Sequence, residues 1–429
     1  MEEDFASLLR LIYIYGGLNL ALRIVLRQPA ISASLAFWFG WWFLVSGGEL
    51  VVERGWREIE LYSAPYIEML FHGAFTGFLI GTLVGAFGKP RQRYLELVEL
   101  SERLLDTYGR KVLWALFLAG GAFFAQRVAT VGLSFDYLSE VRGVYNQRQG
   151  GALLRIGSHL SVLMTTFIVI RGIRDSYHGV SIRGLLITIA AGAPLGLANG
   201  GRTFLMSYTL AYVASLLLCR SNFSRHPFAL SAQEFLSIGG MITFLLTVFA
   251  VMGYVRGGYG EELNVLYAVI IWPVSTFQAM DTWVFAAIAS DRTYGLNSFG
   301  WVADFAARLK LIDISEAKGV MRNVLLDFED TYDPARVIPR SILPDLIFDF
   351  GERAIFVSIG VIAFLLEFVT SRYPGRGLFW HVLAVQCFLG SFTTIQNSVV
   401  SPGFAITIFW GAVLAFAARK YQWTKPVHT

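Results

Sequence analysis

Apolar residues run along this chain in blocks of roughly 16 to 22, the length a helix needs to cross the hydrocarbon core of a bilayer, and short polar turns separate them. The blocks predict eleven helices, at 8–26, 31–50, 66–87, 112–132, 152–170, 184–199, 203–219, 235–254, 353–370, 378–396 and 403–418. A further run, 266–288, is apolar enough to cross, but Pro273, Gln278 and Asp281 interrupt it. Period-two alternation of useful length is absent, and long apolar runs exclude a β-barrel, so the fold class is an all-α polytopic membrane protein. Neither a fixed-period repeat nor a low-complexity tract is visible.

Charge decides the ambiguous run. If 266–288 does not span, one side of the membrane carries eighteen Lys and Arg, among them Arg23, Lys89, Arg110, Arg171, Arg220, Arg372 and Lys420. The short loops opposite carry five: Arg54, Arg57, Arg142, Arg148 and Arg202. That asymmetry marks the first side as cytoplasmic. The resulting topology places the N-terminus outside and the C-terminus inside. It divides the chain into eight helices in 1–253, an extracytoplasmic helical segment in 254–349, and three helices with a cytoplasmic tail in 350–429. Within the outer segment, 266–288 reads as a helix lying against the membrane surface.

Composition agrees: the 429 residues are 55% hydrophobic and only 15% charged, where a soluble domain carries about 25% charged residues. The net charge of +4 is too small to suggest a nucleic-acid partner. The start Met1-Glu2-Glu3-Asp4 is acidic where a cleavable signal peptide is basic, which predicts no cleavage. Cys219 and Cys387 lie in apolar runs without metal-ligand spacing.

Arginines at the outer ends of spans are the first candidates for chemistry. Ala198-Asn199-Gly200-Gly201-Arg202-Thr203 is a tight outer turn. Gly200 and Gly201 allow close backbone approach to a ligand, and Thr203 can cap a helix whose N-terminus attracts a phosphate. The alternative is a plain turn whose arginine meets lipid headgroups. Ile338-Pro339-Arg340-Ser341-Ile342-Leu343-Pro344-Asp345 likewise places Arg340 just ahead of a helix start. Two such guanidinium groups could clamp a diphosphate; otherwise Arg340 pairs with Asp345 or Asp349. The loop from Phe135 to Tyr145 offers Glu140, Arg142 and Tyr145, either to a polar cavity or to solvent from an interfacial helix. Arg127 sits inside the fourth span near its outer end, as a ligand group or as a snorkelling one. Candidate bases are His159, Glu140 and Glu352, with Asp281 and Asp349 also in reach of the outer side. The Asp327-Phe328-Glu329-Asp330 cluster reads as a solvated helix end rather than a cation site. No Walker motif, post-strand GxGxxG or HExxH occurs, so neither a nucleotide nor a metal cofactor is expected.

The Gly200-Gly201-Arg202 turn, the run from Pro339 through Asp345 to Asp349-Phe350-Gly351, and Ser139-Glu140-Val141-Arg142 resemble the Wzy-type oligosaccharide repeat-unit polymerases of bacterial surface-polysaccharide assembly. Span number, outer-loop placement and motif order are similar over most of the chain, and Arg340 to Gly351 fits an Arg-x10-Gly spacing. Where such proteins show Pro followed soon by Phe-Asp, this chain has Pro273, Phe277 and only then Asp281.

The resemblance implies a GT-C-like, metal-independent glycosyltransferase of the bacterial inner membrane whose site faces the periplasm. Its partners would be membrane lipids, undecaprenyl-diphosphate-linked oligosaccharides and a chain-length regulator. Arg202 and Arg340 would neutralise the leaving diphosphate, and Arg142 with Arg127 would position the second lipid-linked substrate. A carboxylate or His159 would deprotonate the acceptor hydroxyl, and Trp272, Trp283, Tyr294 and Trp301 would grip sugars. The rivals are an O-antigen ligase, with the same donor and lipid A core as acceptor, and a transporter or flippase of lipid-linked sugars. Few ionisable groups lie at mid-membrane, which argues against the transporter.

Overall fold

A computed structural model describes residues 2–29, 31–55, 61–87, 94–131, 151–198, 203–223, 341–374, 376–392 and 406–416, with shorter stretches between 231 and 313 and Thr394. The described residues are helical and include no strand. The helices are α1 (Glu2–Val25), α2 (Ala33–Glu53), α3 (Ala64–Ala86), α4 (Tyr94–Leu104), α5 (Arg110–Val131), α6 (Gly151–His178), α7 (Ile182–Ala198), α8 (Thr203–Phe223), α9 (Ile342–Phe350), α10 (Ile355–Arg372), α11 (Leu378–Phe392) and α12 (Ile406–Phe416). Positions 276–277, 280–281, 283–285 and 287–289 are helical as well.

Among the described residues, five stretches are long and apolar enough to cross a membrane: Asp4–Val25, Ala33–Glu53, Ala64–Ala86, Tyr94–Ala129 and Glu352–Arg372. Shorter apolar helices cover Arg183–Ala198, Leu378–Phe392 and Ile406–Phe416. The architecture is that of a helical, multi-pass membrane protein.

Local chemistry sets the boundaries. Arg27 takes a left-handed φ of 52° after α1, and Ser32 restarts the chain as the N-cap of α2, its Oγ accepting from Leu35 N at 3.3 Å. Gly55, at φ 63°, follows the end of α2, and Pro65 lies in the first turn of α3. A π-helical turn, Leu105–Gly109, joins α4 to α5, so the fourth predicted span is the end of a longer helix. The sixth helix also outruns its prediction. Its last turns carry Arg171 and Asp175, whose charges meet at 3.2 Å, and Tyr212 donates to Asp175 at 2.9 Å.

Two large cores hold the described helices, and a small third one joins Phe123, Leu195 and Ala198. The first joins α1, α2, α3, α9, α10 and the 276–289 stretch; the second joins α4, α6, α8 and α11. The closest approach is between α3 and α10, where Gly73, Gly77, Gly81 and Gly85 form one stripe of α3. A Cβ on Gly73 or Gly77 would overlap the carbonyl oxygen of Phe356 or Gly360, and one on Gly81 would lie 2.8 Å from the Glu367 Cβ. In lipid no hydrophobic effect drives helices together, so such backbone-to-backbone packing supplies the attraction.

The 266–288 run departs from its expected surface position. At the described positions Phe277, Met280, Trp283, Val284 and Ala287 are buried in the first core. Their three- and four-residue spacing turns one helix face inward. The described parts of the 254–349 segment therefore share a core with helices on either side of it in sequence.

Candidate functional site

Two places at the predicted outer ends of the helices carry candidate side chains. The first is Arg127, one turn before the end of α5. Phe123 packs with Leu195 and Ala198, at the end of α7, and with Leu160 of α6. One turn further along, the Arg127 guanidinium lies 5.3 Å from the Phe123 ring centroid. Arg127 is only 7% exposed, and its buried Nε has no hydrogen-bond partner among the described residues. A cation–π contact on this scale compensates only part of the desolvation of a guanidinium. Beyond Ala198 the chain runs into Asn199-Gly200-Gly201-Arg202. His159 precedes Leu160 and is exposed, its ring centroid 6.5 Å from that of Trp410.

The second place is built where the start of α3, the 276–289 stretch, α9 and the single 3-10 turn Glu352–Ala354 converge. Asp281 is buried and caps α3, accepting from the backbone N–H of Ser63 at 2.8 Å and of Tyr62 at 3.3 Å. Ser341 caps α9 by accepting from Leu343 N at 3.2 Å, and its hydroxyl donates to the Met280 sulfur at 3.0 Å. Every residue from Ile342 to Asp349 is buried, so this helix is a fixed floor rather than a loop. Asp349 accepts from the Thr293 hydroxyl at 2.6 Å, and Thr293 N donates to the Phe348 carbonyl at 2.9 Å. Glu352 is half-buried and accepts from the Tyr66 hydroxyl at 3.1 Å.

This geometry separates the acids by role. Asp281 and Asp349 are held inside the fold and tie the outer stretch to α3 and α9. Glu352 remains partly open at the rim, the position a proton acceptor needs. Trp283, one of the aromatics expected to grip sugars, is 4% exposed and packs edge-on to Phe348, so its ring serves the core.

Of the expected site residues, Arg127, His159 and Glu352 are placed by the structure: Arg127 and His159 by the α5–α7 ends, Glu352 by the α3–α9 floor. Arg202, Arg340, Arg142, Gly200, Gly201, Tyr145 and Glu140 lie outside the described residues, as do Trp272, Tyr294 and Trp301. The Asp327 to Asp330 cluster does too. Among the described residues no three His, Cys, Asp or Glu side chains converge as metal ligands. Cys219 and Cys387 are buried free thiols.

Sequence reading passed over Arg292, which donates from Nη1 to the Ile347 carbonyl at 3.0 Å in the last turn of α9. The available signal was Gly351: it has φ 84°, and its missing side chain leaves the room that the arginine occupies.

Compared with protein-family models, with curated proteins and with solved structures, the chain matches none.

Proposed function

We propose that this protein polymerises polyprenyl-diphosphate-linked oligosaccharide repeat units by glycosyl transfer at the outer face of a bacterial inner membrane. In this reading eleven helices cross the bilayer in a GT-C-like arrangement, and the 254–349 segment lies on the outer side. The observation that carries it is Arg127: a guanidinium 7% exposed, stacked on Phe123, with a buried Nε that has no partner among the described residues. A buried cation without a counter-ion is costly unless a ligand supplies the negative charge, and an intramembrane arginine marks a functional site by default. A diphosphate on a lipid carrier brings that charge to this depth.

The residues then divide the work. Arg202 and Arg340 neutralise charge on the departing diphosphate, where it grows in the transition state. Arg127 and Arg142 hold the second lipid-linked unit, with Gly200, Gly201 and Tyr145 shaping its berth. Glu352, already fixed by Tyr66, takes the acceptor proton, or His159 or Glu140 does. The C–O bond to the diphosphate breaks as the new glycosidic bond forms, and undecaprenyl diphosphate leaves. No nucleotide enters the reaction.

The test is reconstitution of the full chain in nanodiscs with a native lipid-linked repeat unit, EDTA and no nucleotide. A product ladder spaced by one repeat supports the reading. Transfer that requires lipid A core overturns it in favour of a ligase, and movement of the substrate across the membrane without new bonds overturns it in favour of a transporter.

A further inference from the structure

The fold positions the exposed guanidinium of Arg292 with two devices. Its Nη1 donates to the Ile347 carbonyl at 3.0 Å, in the last turn of α9, the negative end of the helix, where that carbonyl also accepts from Gly351 N at 2.9 Å. Its flat face lies over Gly351 so closely that a Cβ there would come 3.0–3.1 Å from Cζ, Nε and Nη2. With φ at 84°, Gly351 satisfies both demands at once, and any other residue would be strained and would displace the arginine.

Backbone alone anchors this cation. The carboxylates that flank Gly351 in sequence are engaged elsewhere, Asp349 with Thr293 and Glu352 with Tyr66. No described acid forms an ion pair with Arg292, and Nε and Nη2 remain uncommitted to any described residue. The result is a donor fork at the end of α9 that no carboxylate among the described residues neutralises. Planar paired donors that keep their charge at every relevant pH are the chemistry that recognises oxyanions.

We infer that Arg292 binds an oxyanion of the substrate, either a phosphate of the lipid carrier or a carboxylate on its sugars. The inference deepens the glycosyl-transfer reading and rests on it for the identity of the substrate.

The experiment measures binding rather than turnover. Full-length protein in nanodiscs is titrated with undecaprenyl diphosphate and, separately, with a soluble glucuronic acid oligosaccharide, for wild type, R292Q, R292K and G351A; thermal stability is recorded without ligand. R292Q is expected to weaken one probe by about tenfold or more, the worth of a charge-assisted bond. R292K is expected to weaken the same probe less, at unchanged stability, and G351A to match R292Q because it displaces the guanidinium. Loss on the diphosphate arm assigns the lipid phosphate, and loss on the uronate arm assigns the sugar. Wild-type affinity of R292Q for both probes, no binding of either probe by wild type, or weakening that only follows a fall in stability overturns the site. The polymerisation assay fails separately: no ladder together with R292-dependent binding removes the reaction and keeps the arginine site.

Discussion

Arg23 and Glu367 form an ion pair across 344 residues of chain, with side-chain exposures of 1% and 0%. Around them runs a network that leaves Arg23 Nη2 buried without a partner among the described residues. Arg23 also donates to Ser371 at 2.9 Å and to the Pro29 carbonyl at 2.6 Å, while Glu367 accepts from Thr82 at 2.9 Å and from Ser34 N at 2.9 Å. One carboxylate thus joins α1, the start of α2, α3 and α10. Removing one member of a buried pair strands the other, so Arg23→Ala or Glu367→Ala is expected to cost about 3–5 kcal/mol. The Arg23→Met, Glu367→Leu double variant is expected to cost less than either single one, a sign that a double-mutant cycle on thermal unfolding in detergent would read directly.

The glycine stripe of α3 makes a contrasting prediction. Gly77→Ala places a methyl group on the Gly360 carbonyl and is expected to destabilise by about 1–3 kcal/mol as the helices part. Gly121→Ala, on α5, meets nothing within 4 Å. It is expected to be neutral or stabilising, since alanine is the better helix former. Equal melting temperatures for the two variants would contradict the backbone contact.

Asp281→Ala removes the acceptor for two backbone N–H groups at the start of α3. Loss of a cap costs about 0.5–2 kcal/mol, and burial places this one toward the upper end. Amide exchange at Ser63 and Tyr62 is expected to accelerate before the rest of α3 is affected.

For Arg127 stability and activity are expected to diverge. Arg127→Leu removes a buried Nε with no partner and is expected to leave the melting temperature unchanged or raised. Repeat-unit transfer is expected to fall by about 10²-fold, the scale for a misplaced substrate. Parallel falls in both would make Arg127 a packing residue.

Helix positions were legible because bilayer thickness fixes the length of an apolar run, and the starts of α2, α3, α7 and α8 lie within two residues of expectation. The long reach of α6 was not legible, since Arg171 reads as a loop charge until its pairing with Asp175, which also accepts from Tyr212, is known. The inward face of the 276–289 stretch was misread for a related reason. Asp281 looked like an interruption of an apolar run, yet it is the residue that docks the stretch onto α3. Arg127 was legible as a site candidate because charge is rare within spans. Arg292 was not, because its position depends on Gly351, some sixty residues later.

The separation between Arg23 and Glu367 also has a consequence for synthesis. At about 5–20 residues per second, on the order of half a minute passes between the emergence of α1 and that of α10. Throughout that interval Arg23 lacks its carboxylate and the α3 stripe lacks the backbone it fits. The first three helices therefore wait in the membrane as an open half, and the insertion machinery or surrounding lipid must hold Arg23 until the chain is nearly complete.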